Sequence, residues 1–531
     1  MMPHMIETSW ISLLPPLVAI GLAIAFRQVI VALLAGVFLG ALFVSGYNPV
    51  VALARTVDSY ALSALADSDH ASIVLFTLML GGMVGVVSRS GGSHGLATVV
   101  TRFATSSRRG QLASWFMGIL IFFDDYANTL LVGSTMRPIT DRLRISREKL
   151  SFIVDATAAP VASLAIISSW IGVEIGYIAD QYHTLGIQQD AYLVFIQTIP
   201  YRFYPLLMLF FGLLVASSRR DFGPMLKAER RATLEGKLLA DGARPAASFD
   251  DAAIAPKKGK PARWVNALVP IITVIVAIAV GLYLDGRAKA IESGSILTIR
   301  NIIAHASSYR ALLWASLLGS LVAIGLALGQ RILSLVEAME AWLAGVKSMV
   351  LAMVILVLAW SLGAVCKDLH TANFIIEAIG GRLHPGLLPA LVFLVSAGVS
   401  FATGTSWGTM GILFPLVVPL AFGLAPGDEN IMLGTISSIL AGSVFGDHCS
   451  PISDTTIMSS MASACDHIDH VRTQLPYALT VGMVGLLAGD LACGLELYNE
   501  WVGLLLSVGL LTAIVFFMGK RVGQEQPSDQ A

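Results

Sequence analysis

The sequence predicts an all-α polytopic membrane protein, an inverted-repeat secondary transporter with two re-entrant hairpins and discontinuous helices. Three observations carry that prediction. Apolar runs of spanning length recur along the chain. Several of them are interrupted by acids, hydroxyls, glycine and proline. These interruptions come in the same order in the two halves.

Composition sets the class. The 531 residues are 56% hydrophobic and 13% charged, against about 25% charged in soluble domains. A net charge of −1 and the lack of a basic tract outside the loops give no sign of a nucleic-acid partner. Cys366, Cys449, Cys465 and Cys493 show no metal or redox spacing and read as small core residues. The start, MMPHMIETSW, lacks the basic flank of a cleavable signal, so the first apolar segment is expected to be a retained helix.

Spans of about 20 residues are expected near 11–26, 29–46, 72–90, 150–178, 189–217, 264–285, 311–329, 346–366, 430–463, 473–495 and 501–518. Two further stretches, 111–138 and 387–424, are apolar with polar or Gly-rich centres (DDYANT; ATGTSWGTMG) and read as re-entrant hairpins. The segment 218–263 is rich in Lys and Arg and is expected to be cytoplasmic. Within it, ADGARPAASFDDAAIAPKKGKP reads as a flexible linker. Counting spans from there puts the N-terminus outside and the tail, 521–531, in the cytoplasm. The first hairpin then dips in from inside and the second from outside. The domain reading is a first repeat over 1–217, the linker 218–263, and a second, inverted repeat over 264–520.

Local echoes support the duplication. FFDDYANTLLVGSTMRP (122–138) resembles SFATGTSWGTMGILFP (400–415), each with a polar centre, small residues and then proline. DATAAPVAS from Asp155 resembles DHCSPIS from Asp447. Thr198-Ile-Pro-Tyr201 resembles Gln474-Leu-Pro-Tyr477. Paired halves with corresponding broken helices point to a midplane site between them.

The candidate chemistry lies in the interruptions, since ionisable residues at membrane depth mark function by default. Asp124 and Asp125, followed by Asn128 and Thr129, form the first hairpin's tip. Two close carboxylates do not both ionise easily, and such a group can trade a proton for a hard cation held by oxygen ligands. The alternative is a solvated hairpin end at the membrane surface. Asp155 and Thr157 precede Pro160, which frees backbone carbonyls; equally, Asp155 could N-cap a helix. Thr403, Thr405, Ser406 and Thr409 lie among glycines that permit close approach, either to a ligand or to a neighbouring helix. Asp447, His448, Ser450, Ser453, Asp454, Thr455 and Thr456 flank Pro451, where helix halves would present dipole ends. Asp447 leads there, because a lone histidine is more often structural. Na⁺ is expected at a subset of Asp124, Asp125, Asp155, Asp447 and Asp454.

Other polar residues have blander readings. Glu174 lies either in the path or near the outer interface, where Trp170 and Tyr177 would fit an aromatic belt. Lys367 and Asp368 read as an interfacial ion pair. Asp466, His467, Asp469 and His470 read as a solvated turn rather than a metal site.

FFDDYANTLLVGSTMRPITD, TGTSWGTMGILFPLVVPLA and GDHCSPISDTTIMSSMAS together resemble the NhaC family of Na⁺/H⁺ antiporters over about residues 72–495. The resemblance implies an ion-transporter-type fold with a scaffold and a moving transport domain, of the elevator kind and often dimeric. It implies that Asp124, Asp125, Asn128, Asp155, Thr405, Asp447, Ser453 and Asp454 bind ion or substrate. The family also includes carriers assigned to amino acids and organic acids.

The expectation is therefore a multi-pass protein of the cell inner membrane that exchanges Na⁺ for H⁺ by alternating access. Its partners would be lipid, its own cargo and a second copy of itself; Na⁺ and H⁺ are cargo, and no cofactor is expected. The nearest rival is a Na⁺- or H⁺-coupled carrier of an amino acid or organic acid. A hydrolase using the aspartates as acid and base is the rival from another class, but the chain has no HExxH and no GxSxG.

Overall fold

Apolar runs interrupted by proline and glycine fold as helices that stop where the backbone cannot continue. A computed structural model of the chain describes residues 10–26, 28–101, 104–122, 124–168, 170–245, 256–257, 259–292, 297–298, 302, 306, 308–371, 373–374, 383–451 and 453–523. Among these, eight helices are long and apolar enough to cross a bilayer, or nine with one bent pair taken as a single span.

One group of helices forms a frame: Leu14–Phe26, Val29–Val44, Ser68–Arg89, Val265–Glu292, Ser308–Gly329 and Leu335–Asp368. The last is the longest. A Ser334/Glu337 capping box starts it, and 34 residues reach about 51 Å. Small residues let these helices approach closely: a Cβ on Gly345 would lie 2.1 Å from the Gly81 carbonyl oxygen.

The second group holds the interrupted elements. The first hairpin is Ser107–Leu120 and Asp125–Arg142; the second is Leu388–Thr403 and Ser406–Leu424. Both helical pairs fall at the expected positions, and each arm of the second, Pro385–Thr403 and Ser406–Leu424, is by itself long and apolar enough to cross a bilayer. The run at 150–178 is not one span. It is Arg147–Ala156, a break, Ala159–Ala162, a second break and Ile171–Leu185. Pro160 and the Ser168-containing stretch interrupt it. The run at 430–463 divides into Glu429–Cys449 and Asp454–Ala462 around Pro451. The run at 189–217 bends by 52° between Ala191–Tyr201 and Phe203–Ser218. His467–Gly485 and Glu500–Met518 complete the group.

The two halves of the chain interlock. Asp125–Arg142 of the first hairpin packs on Asp454–Ala462, and Ser406–Leu424 of the second packs on Ile171–Leu185. Each hairpin thus leans on the other half's broken helix, the arrangement expected of inverted repeats around a common site. The frame meets this group where Leu335–Asp368 packs on Ser406–Leu424 and Ile171–Leu185.

Charged residues dock the start of the basic linker. Arg220–Asp221 pairs antiparallel with Lys520–Arg521, so the linker and the C-terminal end lie on the same side. Buried Asp221 accepts from Lys149 Nζ at 2.5 Å and from the Tyr477 hydroxyl at 2.6 Å. In the helix Gly223–Arg230, Glu229 accepts from the Ser146 N–H and hydroxyl, both at 2.8 Å, and from Gln111 at 3.1 Å. Burial, with the Asp221 carboxylate nearby, pushes the Glu229 carboxyl up to about 7 from an ordinary 4.5. An undocked carboxyl ionises near 4.5, whereas the docked one keeps its proton to about 7. Docking stability is therefore fully present below 4.5 and falls as pH rises to about 7. Hydrogen exchange over Gly223–Arg230, corrected for intrinsic rates, is expected to quicken between pH 5 and 8 in the native chain and to stay level in Glu229→Gln. Parallel profiles would contradict this.

Candidate functional site

The first hairpin's tip is built around Asn128. Its Nδ2 donates to the carbonyls of Gly118 at 2.7 Å, Ile121 at 3.1 Å and Thr157 at 2.8 Å. Three carbonyl acceptors fix which way the amide points, so Oδ1 faces elsewhere, buried and without a donor. The tip is flush with the first break, since a Cβ on Gly118 would lie 2.0 Å from Thr157 Oγ1. Asp124 and Asp125 are 7% and 2% exposed, which excludes the solvated-end reading. The Thr129 hydroxyl donates to the Asp125 carbonyl and that of Thr157 to the Ile153 carbonyl, both at 2.8 Å. Each keeps lone pairs for another partner.

The second hairpin turns through Gly404, whose φ of +70° suits a residue without a Cβ. Thr405 then caps the following helix. The Thr409 hydroxyl donates to the Thr405 carbonyl, and that of Thr403 to the Val399 carbonyl. The hairpin is stitched to the second broken helix. Ser400 and Ser406 donate to the Ser443 carbonyl at 2.7 and 3.4 Å, and Ser450 donates to the Phe401 carbonyl at 2.8 Å. Gly442 and Gly446 allow this. A Cβ on Gly446 would lie 2.3 Å from the Ala397 carbonyl oxygen.

At the second break, Ser453 caps Asp454–Ala462. Its Oγ lies 3.0 Å from Thr455 Oγ1, which donates to Asp447 Oδ2 at 3.4 Å. Thr456 donates to the Asp447 carbonyl at 3.5 Å. The Asp454 side chain lies outside the described ones.

Asp155 joins the halves. It ends Arg147–Ala156, whose N-cap is Ser146, so the capping reading of Asp155 does not hold. Its Oδ2 accepts from Gln474 Nε2 at 2.6 Å, meets His470 Nε2 at 3.2 Å and lies 3.8 Å from His448 Nε2. The other Gln474 N–H donates to the His448 carbonyl at 2.6 Å, which orients that amide too. His448 Nδ1 meets the Tyr204 hydroxyl at 2.6 Å. Asp155 Oδ1 and Gln474 Oε1 are buried with no donor. With Asn128 Oδ1 that makes three buried oxygens unsatisfied by protein, whereas buried polar atoms are normally paired. A proton or a hard cation is the chemical complement of a buried carboxylate oxygen of this kind.

A model of the Na⁺/H⁺ antiporter family matches residues 161–489, more than half of the chain. The chain belongs to the Na⁺/H⁺ antiporter family. It is a secondary transporter by membership. It is 31% identical over 517 residues to an uncharacterized protein of Haemophilus influenzae, covering 96% of this chain and 95% of that one. Shorter matches reach a malate-2H⁺/Na⁺-lactate antiporter of Bacillus subtilis (36% over 94 residues; 18% of this chain, 19% of that one) and the arginine/ornithine antiporter ArcD of Halobacterium salinarum (36% over 135 residues; 25% and 27%).

For a member of the Na⁺/H⁺ antiporter family, several site residues have roles that the sequence does not assign them, and His470 is buried on Asp155 and not in a solvated turn. Gln474, His470 and Tyr204 contact the acid or its histidine. Arg202, a charge inside an apolar run, pairs with Glu174 at 2.7 Å with both side chains fully buried. Glu174 is thus buried within the protein and not solvated. Trp170 and Tyr177 form no interfacial belt. Both are buried, Trp170 against Trp407, Tyr177 stacked on Phe414 and donating to the Trp407 carbonyl at 3.3 Å. Asp368 accepts from Tyr60 at 2.8 Å. Asp466 is an N-cap, accepting from the N–H groups of Ile468, Asp469 and Arg244. Among the described residues no three His, Cys, Asp or Glu side chains gather as a metal site.

The turn at Asp466–His470 therefore divides in two. Asparagine caps as well as aspartate, so Asp466→Asn is expected to leave transport and stability within about 0.5 kcal/mol of the native protein. His470→Ala is expected to lower the transport rate at least tenfold by freeing the Asp155 carboxylate. Paired flux assays on the two variants decide it, and equal effects would undo the division.

Proposed function

We propose that the chain exchanges Na⁺ for H⁺ by alternating access, with Asp155 as the carboxylate both ions seek. The observation that carries this is Asp155 itself. It is 1% exposed, with one oxygen held by residues of the other repeat and one unsatisfied. A proton on that oxygen and a Na⁺ beside it exclude one another, because each satisfies the same negative charge. Exchange is then obligatory without a separate gate. Asn128 Oδ1, Gln474 Oε1 and the carbonyls at the first break are oxygen donors suited to Na⁺, and Asp447, Ser453 and Thr455 extend the set across the second break. Asp124, Asp125, Thr403, Thr405, Ser406 and Ser450 line the approach, and Asp454 is kept as a candidate from its place in the sequence. The basic linker and the tail on its side face the cytoplasm of a cell inner membrane, and a homodimer is the expected assembly.

Coupled carriage of an amino acid or organic acid is the second reading, favoured by the relatives that exchange malate and lactate or arginine and ornithine. Against an organic anion, the guanidinium closest to the breaks, Arg202, is committed to Glu174, Thr198 and the Ser163 carbonyl.

Purified protein in sealed liposomes with a pH dye inside separates the two. With the lumen acidic, Na⁺, Li⁺ or K⁺ added outside is expected to raise internal pH with no organic solute present. Silence to all three cations, with a response to a carboxylate or an amino acid, would replace the first reading by the second.

A further inference from the structure

On the linker side, away from the ion site, a cavity of about 540 Å³ is lined by Arg108, Arg219, Arg220, Arg521 and Phe516, and no acid lines it. Arg108 comes from the first turns of the first hairpin, Arg219 and Arg220 from the start of the linker, and Arg521 from the C-terminal strand. The strand register sets Arg220 directly opposite Arg521. Like charges facing each other across a ladder destabilise it. Arg220 has partial relief through the carbonyls of Phe516 and Gly519, at 3.1 and 2.8 Å, and through the Phe516 ring. Arg219 has none. Its Nε and Nη2 are buried and make no hydrogen bond, although guanidinium N–H groups are strong donors matched to phosphate oxygens. Arg219 also holds a left-handed φ of +51°, a conformation that costs energy for a residue with a Cβ.

The surroundings identify the source of the anion. The cavity opens at the end of Glu500–Met518, where Phe516, Phe517 and Met518 are 50%, 91% and 63% exposed. Of the eight candidate spans, this helix has the smallest share of its length buried within the protein. An anion held there would sit beside exposed apolar side chains suited to acyl chains. Basic pockets between helices at a membrane surface take such headgroups.

We propose that this cavity binds the phosphate of an anionic phospholipid from the leaflet on the linker side, and that the lipid clamps the linker, the C-terminal strand and the first hairpin together. The proposal is independent of which ion the transport site carries.

Short-chain phosphatidylglycerol, phosphatidylcholine and inorganic phosphate, titrated separately into the detergent-purified full chain, test it through the thermal unfolding midpoint. Phosphatidylglycerol is expected to raise the midpoint and phosphatidylcholine to leave it unchanged. Arg219→Gln and Arg521→Gln are each expected to weaken the phosphatidylglycerol effect about fivefold in apparent affinity. Arg521 is exposed, so its replacement keeps the test available should Arg219→Gln fold poorly. Lys237→Gln removes an exposed charge outside the cavity and should leave the affinity unchanged. Equal effects of both lipids, or a loss in Lys237→Gln matching that in the arginine variants, would overturn the site. An equal effect of inorganic phosphate at the same concentration would overturn the lipid as its source.

Discussion

Asp155→Asn is expected to abolish cation-dependent proton exchange while leaving the protein folded. Asparagine keeps the shape of the side chain and an oxygen to accept from Gln474. It loses the charge that attracts a cation and the group that takes a proton. A unit charge about 4 Å from a monovalent cation at an effective dielectric of 20 is worth about 4 kcal/mol, about a thousandfold in affinity. Exchange in liposomes should therefore fall to background at any workable Na⁺ concentration. The thermal midpoint should change little, because the amide keeps the size of the side chain and an oxygen for Gln474. Asp447→Asn, at the second break, is expected to impair exchange less, because the contacts of Gln474, His470 and His448 converge on Asp155. Exchange within threefold of native in Asp155→Asn would end the assignment of this carboxylate as the shared one.

Much of the frame for this site can be read from the chain. Acids and small residues inside apolar runs have few alternatives to a helical break, so both hairpins and the break at Pro451 fall where DDYANT, GTSWGT and CSPIS stand. The double interruption after Ala156 is less legible. Its second gap, before Ile171, rests on tertiary support: Arg202 reaches the Ser163 carbonyl from 39 residues away. The partners of Asp155 are hidden for the same reason. Gln474 and His470 lie more than 300 residues along the chain, and only the crossing of the chain's two halves brings them near. Local pattern does carry a weak trace of them. Gln474 occupies a slot in the repeated Pro-Tyr motif, and Arg202 is a charge within a run that otherwise reads as a span; the cost of an unpaired charge there already demanded a partner. Hydroxyl-rich stretches also carry a local role that their pattern does not announce. Thr405 and Ser453 read as ligands from sequence, yet both have local work as helix caps.

Glu174→Gln is expected to destabilise the protein strongly, and the reason bears on how the first break holds its shape. Glu174 and Arg202 form an ion pair with no exposure on either side. Arg202 also binds Thr198 Oγ1 at 2.9 and 3.2 Å and the Ser163 carbonyl, and lies over the Phe195 ring at 4.6 Å. It thereby pins the end of Ala159–Ala162, the start of Ile171–Leu185 and the 52° bend to one another. Removing one member leaves a buried charge without its counter-charge, which costs about 3–5 kcal/mol. Removing both with apolar residues of similar volume, as in Glu174→Leu with Arg202→Met, is often neutral or stabilising. Detergent-solubilised Glu174→Gln should thus unfold at a clearly lower temperature and the double variant near the native one. Transport then separates two roles. If the pair only positions the break, the double variant recovers exchange along with stability, because Asp155, Asn128 and Gln474 are untouched. If Glu174 is itself a stop on the ion path, stability returns and exchange does not. The geometry favours positioning, since one Glu174 oxygen is held by Arg202 on three pinned elements. A stable double variant without exchange would place Glu174 on the path.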